Sequence, residues 1–410
     1  MPKRAARHWD QGTLADVGKP PYRVPSMAEI KTTPANGLTV VSTFSGCGGS
    51  CLGFRWAGYR VLWASEFIPE AARTYRANWP DATLDEHDVR RVQPEDILAR
   101  IGAKPGDVDV LEGSPPCASF SISGKREAGW GRERKYSDGK QRVDDLFFEF
   151  IRILRGVRPR VFVAENVPGI LQGAARLYLD SIVATMRDAG YDVAWRRLDA
   201  QWHGVPQNRV RVFFVGVRAD LGRRPAFPDP LPWRYTVRDA CPWIARAEED
   251  TGGAWGAGEI TDRPAPTVRA AGVGHIVVDA PPVEPEAWLK EGHAITGEWG
   301  KLREGDTSDR YFSLGKLRVD APAQTILANH GHSGTAGIVY PFERRKLSIG
   351  ELRRLCGFPD DFVLTGVYRQ QWERLGRAVP PPLARRVAEA LIPILNAKGR
   401  HRNDSFRTAR

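Results

Sequence analysis

A cysteine held in a stiff turn is the side chain here best suited to covalent chemistry. Cys117 closes the tetrad Ser114-Pro115-Pro116-Cys117 and is followed by Ala118-Ser119-Phe120-Ser121. Two consecutive prolines fix φ and remove two N–H donors, so the loop presents the next side chain rigidly. The apolar run Val108-Asp109-Val110-Leu111 stands just before it. That run predicts a strand with the thiol beyond its carboxyl end, the edge at which open α/β sheets bind ligands. A thiol there is a candidate nucleophile; the plain alternative is a small buried hydrophobe. The run Arg160-Val161-Phe162-Val163-Ala164 predicts a strand that delivers Glu165-Asn166-Val167 to the same rim. Gln207-Asn208-Arg209-Val210-Arg211 opens another, over 212–216, with two guanidinium groups at its start.

Those groups need a scaffold, and residues 38–101 begin one. Residues 38–44 read as a buried strand that runs into Ser45-Gly46-Cys47-Gly48-Gly49-Ser50 and then the apolar-periodic Leu52, Phe54 and Trp56. Strand, glycine turn, helix is the order a nucleotide-type cofactor needs, because backbone without Cβ atoms lets a ligand approach a helix N-terminus. A second strand, 60–65, ends at Glu66, twenty residues after Gly46. At that offset an acid reaches ribose hydroxyls in Rossmann-like sheets; a solvated strand-end charge would also fit. Asp88, in His87-Asp88-Val89, either accepts from an adenine amino group or caps the following turn. Helices are predicted over 94–101, 143–154 and 175–189, the second amphipathic with Leu146, Phe147, Phe150, Ile151 and Leu154 on one face. A further strand is predicted over 192–198.

The ordered set Phe44-Ser45-Gly46-Cys47-Gly48-Gly49, Pro115-Pro116-Cys117, Glu165-Asn166-Val167, Gln207-x-Arg209-x-Arg211 and Gly376-Arg377-Ala378-Val379-Pro380 resembles the motif series of the bacterial and phage DNA (cytosine-5)-methyltransferases. The resemblance spans about residues 38–395 and includes Phe120 to Lys125 and Gly357 to Phe362. It implies an α/β fold: a Rossmann-like S-adenosylmethionine-dependent methyltransferase sheet with a smaller target-recognition domain. It also implies S-adenosyl-L-methionine as cofactor, held by Phe44, Gly46, Gly48, Glu66, Phe67, Asp88, Val89 and Pro115, and double-stranded DNA as substrate. Cytosine C5 is a poor nucleophile, so a thiolate must first add to C6. The resemblance gives that step to Cys117, the proton shared with N3 and the amino group to Glu165, and stabilisation of O2 to Arg211. Arg209 ranks below Arg211, with phosphate contact or loop orientation as its alternatives. The base must leave the duplex stack to be reached. Residues 123–138, with Lys125, Arg126, Arg132, Arg134 and Lys135, are a candidate lid or simply a solvated basic loop.

The same resemblance organises the chain. Residues 1–36 read as a basic flexible arm, 37–224 as the catalytic and cofactor-binding domain, 225–318 as the target-recognition domain, 319–397 as a return to the catalytic domain and 398–410 as a basic tail. The family's penultimate motif occurs twice, in Arg263-Pro264-Ala265-Pro266-Thr267-Val268 and in Asp320 to Ile326. The second is assigned because Arg344-Arg345-Lys346-Leu347 follows it, and the first is placed within the recognition domain. A last helix, 384–395, is expected beside the first strand, completing the cofactor pocket. Position 377 is Arg where the family usually has Asn, which puts any contact of that amide in question.

Composition is compatible without being decisive. The chain has 410 residues, 60 of them Lys or Arg, a net charge of +11 and 13 tryptophans, which suits a cleft that meets a polyanion but also plain solubility. The five cysteines, at 47, 51, 117, 241 and 356, form no array with metal spacing, and an odd count argues against a disulfide framework. Cys47 and Cys51 read as packing residues. No apolar run approaches 18 residues and no signal-peptide pattern opens the chain, so a cytoplasmic, membrane-free monomer is expected, with a cognate restriction endonuclease as a candidate companion. A transfer RNA methyltransferase of the same fold is the nearest alternative, and residues 225–309 argue against it. A non-catalytic DNA-binding protein would not need Cys117, Glu165 and Arg211 together. A nicotinamide oxidoreductase would not need the Pro-Pro-Cys loop.

Overall fold

The computed structural model describes residues 18–116, 146–173, 175–244, 280–311, 313–332 and 335–396, with the backbone of 134–136 and 139–141. Its elements begin with α1 (Met27–Lys31), β1 (Thr39–Thr43), α2 (Gly49–Trp56), β2 (Arg60–Ser65), α3 (Pro69–Asn78), β3 (Leu84–Asp85), α4 (Pro94–Ile101) and β4 (Val110–Gly113). A short ribbon, β5 (Arg134–Tyr136) and β6 (Gly139–Gln141), precedes α5 (Leu146–Val157), β7 (Val161–Asn166), α6 (Ala175–Asp188), β8 (Tyr191–Asp199) and β9 (Val210–Arg218). There follow α7 (Val237–Ala240), α8 (Ala294–Trp299), β10 (Gly315–Lys316), β11 (Ile338–Val339), α9 (Ile349–Leu355), α10 (Tyr368–Arg377) and α11 (Pro381–Asn396).

Seven strands make one sheet in the order β3-β2-β1-β4-β7-β9-β8. The first five of these are parallel, and β9 runs antiparallel to both β7 and β8. Parallel strands are covered on both faces, which is why β1 reads as an unbroken buried run. The period of two divides its side chains between layers. Val41, Leu111, Phe162 and Phe214 pack with Leu98, Phe150 and Ile182 of α4, α5 and α6. Val40, Val110, Val161 and Val215 pack with Phe54 of α2 and Leu383 and Leu391 of α11. A third cluster joins Cys51 and Tyr75 to Ile326, Leu352, Phe358 and Trp372 of the C-terminal part.

Local signals explain the element ends. Pro94 begins α4, where its missing N–H is one of the orphans of a first turn, and Gly102 ends it at φ 64°. Helix α11 begins at Pro381, three residues earlier than expected, because prolines 381 and 382 fall in a first turn that tolerates them. It lies so close on α2 that a Cβ added to Gly53 would stand 2.5 Å from Ala384 Cβ and 2.6 Å from the Pro381 carbonyl oxygen.

The expectation of a flexible arm over 1–36 is corrected from residue 18 onward. Ser26 and Glu29 form a capping box on α1, the Met27 N–H donates to the Asp361 carboxylate at 2.9 Å, and Lys19 pairs with Asp239 at 2.7 Å. A five-residue helix is too short to show a hydrophobic period, so its burial through Met27 and Ile30 was invisible in the sequence. Residues 1–17, the first copy of the repeated motif at 263–268, the tail 398–410 and most of the candidate lid lie outside the described residues.

Candidate active site

Strand β1 pairs with β2 on one side and β4 on the other. The chain leaves those two strands in opposite directions, which opens a crevice at their carboxyl ends. A cleft of about 790 Å³ occupies it, within the roughly 300–1,000 Å³ of sites that enclose small ligands.

Its first wall is the turn after β1. Phe44 takes φ +53°, a left-handed conformation that costs a residue with a Cβ about 1–2 kcal/mol. Gly46 follows at φ +57°, and a Cβ there would meet no atom within 4 Å, so this backbone is bare to the cleft. Gly48, at φ +92°, N-caps α2 and packs beneath Tyr75; it shapes the turn and is not among the lining residues. Glu66 is buried, one carboxylate oxygen accepting the Gly46 N–H at 2.8 Å and the other the Ile68 N–H at 2.7 Å. Burial pushes its pKa up, against the downward pull of those two N–H groups. Phe67, 37 % exposed, and Val89 line the cleft beside it. Asp88 does not: its carboxylate accepts the Arg90 N–H at 3.1 Å and pairs with the Arg90 guanidinium at 2.9 Å, as a turn cap.

The opposite rim comes from β4, β7 and β9. Pro115 lines the cleft, and its carbonyl accepts from the Asn166 amide at 3.1 Å, which ties the Pro-Pro loop to β7. Cys117 is the residue after Pro116 and lies outside the described residues. Glu165 stands within β7, and its Oε1 is 2.9 Å from Arg211 Nε. In the antiparallel ladder Glu165 faces Phe213, so Arg211 is its diagonal neighbour on the same side of the sheet. Burial pushes the Arg211 pKa down while Glu165 pulls it up. Arg209, 1 % exposed, also reaches the cleft, but it donates to the carbonyls of Ile326 at 3.1 Å and Gly376 at 2.8 Å and so staples two distant segments together. Burial lowers its pKa to about 9. Gln207 does similar work, donating to Leu355 O at 3.2 Å and accepting the Ile326 N–H at 3.3 Å.

Several site residues carried no signal in the sequence. Glu112, buried in β4, accepts from Ser50 at 2.8 Å and from Ser42, joining β4 to the glycine turn, and burial pushes its pKa up. Lys346 donates to the carbonyls of His332 at 2.6 Å, Thr335 at 3.0 Å and His330, holding the segment that brings Asn329 and His332 to the cleft. In the sequence it is merely one of three consecutive basic residues. Burial pushes the Cys47 thiol up to about 12 and Cys51 to about 11, which leaves both inert as nucleophiles at neutral pH. Among the described residues no group of His, Cys, Asp and Glu is placed to hold a metal ion, and no helix is long and apolar enough to cross a membrane.

A seven-stranded sheet with one strand inserted antiparallel beside its last neighbour, and a cleft at its switch point, defines a methyltransferase-type α/β enzyme. The family model of the C-5 cytosine-specific DNA methylases matches residues 38–393, and the chain belongs to that family. It is a DNA (cytosine-5)-methyltransferase. It is 32 % identical to the type II methyltransferase M1.HphI of Haemophilus parahaemolyticus over 363 residues, 87 % of each chain. It is 30 % identical to M.DdeI of Desulfomicrobium norvegicum over 390 residues, covering 86 % of this chain and 88 % of that one. A prophage-encoded E. coli protein assigned as a DNA modification methyltransferase shares the fold with a TM-score of 0.64 at 22 % identity, over 88 % of this chain and all of that one.

Proposed function

We propose that this enzyme moves the methyl group of S-adenosyl-L-methionine to C5 of a cytosine flipped out of double-stranded DNA, with Cys117 as the nucleophile. The observation that carries the reading is the Glu165–Arg211 pair on the rim opposite the glycine turn, beside a Pro-Pro loop pinned by Asn166. The cleft fits the cofactor: Gly46 offers bare backbone, and each Glu66 oxygen keeps a lone pair for a ribose hydroxyl. Phe67 and Val89 offer apolar surface that would suit the adenine, and Phe44 and Pro115 line the same cleft. The cofactor supplies an electrophilic sulfonium methyl.

The protein's own groups prepare the base. Addition of the Cys117 thiolate to C6 pushes electrons into the ring and makes C5 nucleophilic. Glu165 holds a proton against N3 and bonds the amino group, while Arg211 faces the charge that develops at O2. Arg209 acts at one remove, by fixing the segments at 326 and 376 around them. Loss of the C5 proton and expulsion of the thiolate restore the ring. Residues 225–318 read the duplex, the net charge of +11 meets its phosphates, and the enzyme works in the cytoplasm as a monomer. Relatives named as type II methyltransferases support a cognate restriction endonuclease as companion.

Bisulfite sequencing of DNA from cells expressing the protein identifies the site, and a duplex carrying 5-fluorocytosine there tests the mechanism. Fluorine replaces the proton that must leave, so the methylated adduct stays attached through C6. A cofactor-dependent, slower-migrating species on a denaturing gel, missing in Cys117→Ser, is expected. No adduct on a duplex that is methylated when unfluorinated would overturn the covalent route.

A further inference from the structure

Lys346 is 1 % exposed, and its ammonium donates to three carbonyls, those of His330, of His332 at 2.6 Å and of Thr335 at 3.0 Å. All three of its N–H bonds are thereby used. Among the described residues no carboxylate pairs with it, and the ring of Trp372, 5.9 Å away, is the other group turned towards it. The chain here folds about a buried positive charge as an oxygen-lined loop folds about a bound cation. The same segment reaches the cleft, which Leu327, Ala328, Asn329 and His332 line. It is pressed onto α10: a Cβ on Gly376 would stand 2.6 Å from Ala328 Cα, and one on Gly331 2.7 Å from Trp372 Cβ. Just past α10, the Val379 carbonyl oxygen lies 2.5 Å from where a Cβ of Gly49 would be. Close packing therefore links the ammonium to the glycine turn without slack.

An amine that loses its proton keeps two N–H bonds and gains a lone pair, which turns one of the three carbonyls from a partner into a repellent. We propose that Lys346 is a positioning residue of the cofactor cleft, whose ammonium, while it keeps its proton, holds the wall of Asn329 and His332 against α10. This role rests on the cofactor reading above. Burial pushes the Lys346 pKa down to about 8, so the wall is released just above neutrality. The neighbours keep their charge between pH 7 and 9. Burial and the Lys346 charge push His330 down to about 4, and His332, which also feels Arg369 and Glu373 of α10, is lowered too. Arg345 is held by Glu343 and Glu351. An unfolded lysine titrates near pH 10.4, so the cost of burying this charge is fully present below pH 8 and is relieved as pH rises. Loss of the proton thus loosens the cleft without lowering the stability of the fold.

Calorimetric binding of S-adenosylhomocysteine to the full chain without DNA, at pH 7 and pH 9, tests this. Affinity scales with the competent fraction, so a pKa of about 8 makes the parent bind about 10-fold more weakly at pH 9 than at pH 7. Arg209, lowered to about 9, and the amino group of the ligand also titrate here, but they are common to parent and variants. Lys346→Met should already bind about 10-fold more weakly at pH 7 and should lack the part of the drop due to Lys346. Lys346→Arg, which stays charged throughout, should also lack it, and either variant alone decides. Hydrogen exchange at the amides of residues 327–332 reads the wall without any ligand. At pH 7 it should be about 10-fold faster in Lys346→Met, with β1 and β4 unchanged. A drop of the parent's size in the variants, or unchanged exchange at 327–332, overturns the assignment. A parent that binds no S-adenosylhomocysteine while the exchange is accelerated as expected overturns the cofactor reading and upholds the hold of Lys346 on the wall.

Discussion

Replacing Glu165 with Gln and Arg211 with Met, singly and together, will separate what this pair does for folding from what it does for the reaction. The two side chains are 12 % and 11 % exposed and meet at 2.9 Å. Removing one partner of a fully buried pair costs about 3–5 kcal/mol, because the other charge is left uncompensated. About a tenth of each group is still exposed in the cleft, so a cost just below that range applies, about 2–3 kcal/mol. At roughly 2.1 cal/mol/K of unfolding entropy per residue, a chain of 410 residues loses about 1 °C of Tm per kcal/mol. Each single variant should therefore melt about 2–4 °C below the parent. The double variant leaves no stranded charge and should return to within about 1 °C, a coupling of about 2 kcal/mol or more. Activity should not return with it. Loss of one preorganised donor costs about 10²–10³ in rate, and loss of acid–base assistance about 10²–10⁴. Scanning calorimetry and single-turnover transfer of tritiated methyl to the cognate duplex read the two quantities. A double variant whose Tm loss equals the sum of the singles, or one that regains the parent rate, would refute the reasoning.

Two further outcomes follow from burial and close packing. Cys47, Cys51, Cys241 and Cys356 are all buried, so brief N-ethylmaleimide treatment of the native protein should modify Cys117 alone, with activity falling in step by peptide mass mapping; rapid labelling of any of the other four would contradict the packing. Gly53→Ala should lower Tm by up to about 2 °C, since overpacking of about 1–3 kcal/mol against Ala384 and Pro381 outweighs the helix-propensity gain of about 1 kcal/mol; a raised Tm would show that α11 yields freely.

What was legible in the sequence is what local physics controls. Strand β1 and helix α4 could be read because a strand buried on both faces becomes an apolar run, and because Pro94 and Gly102 punctuate a helix. Glu66 could be found by its distance from Gly46. Asp88 could not be decided, since a carboxylate after a strand can cap a turn or face a ligand, and only the fold sets it on the Arg90 N–H and leaves it out of the cleft lining. The staple made by Arg209 was illegible for a different reason. It depends on partners more than 100 residues away, and no local pattern encodes such company.

The contact between Gly53 and Ala384 also sets a clock. Some 330 residues separate these two positions, and at about 5–20 residues per second of synthesis the inward face of α2 waits roughly 15–65 s for its cover. Until then the glycine turn lacks the wall built from Ala378 and Val379, and the nascent chain exposes Phe54 and its neighbours to whatever else is sticky in the cell. A premature stop a few codons short of α11 would thus release an orphaned apolar face in search of a chaperone, rather than an enzyme of reduced efficiency.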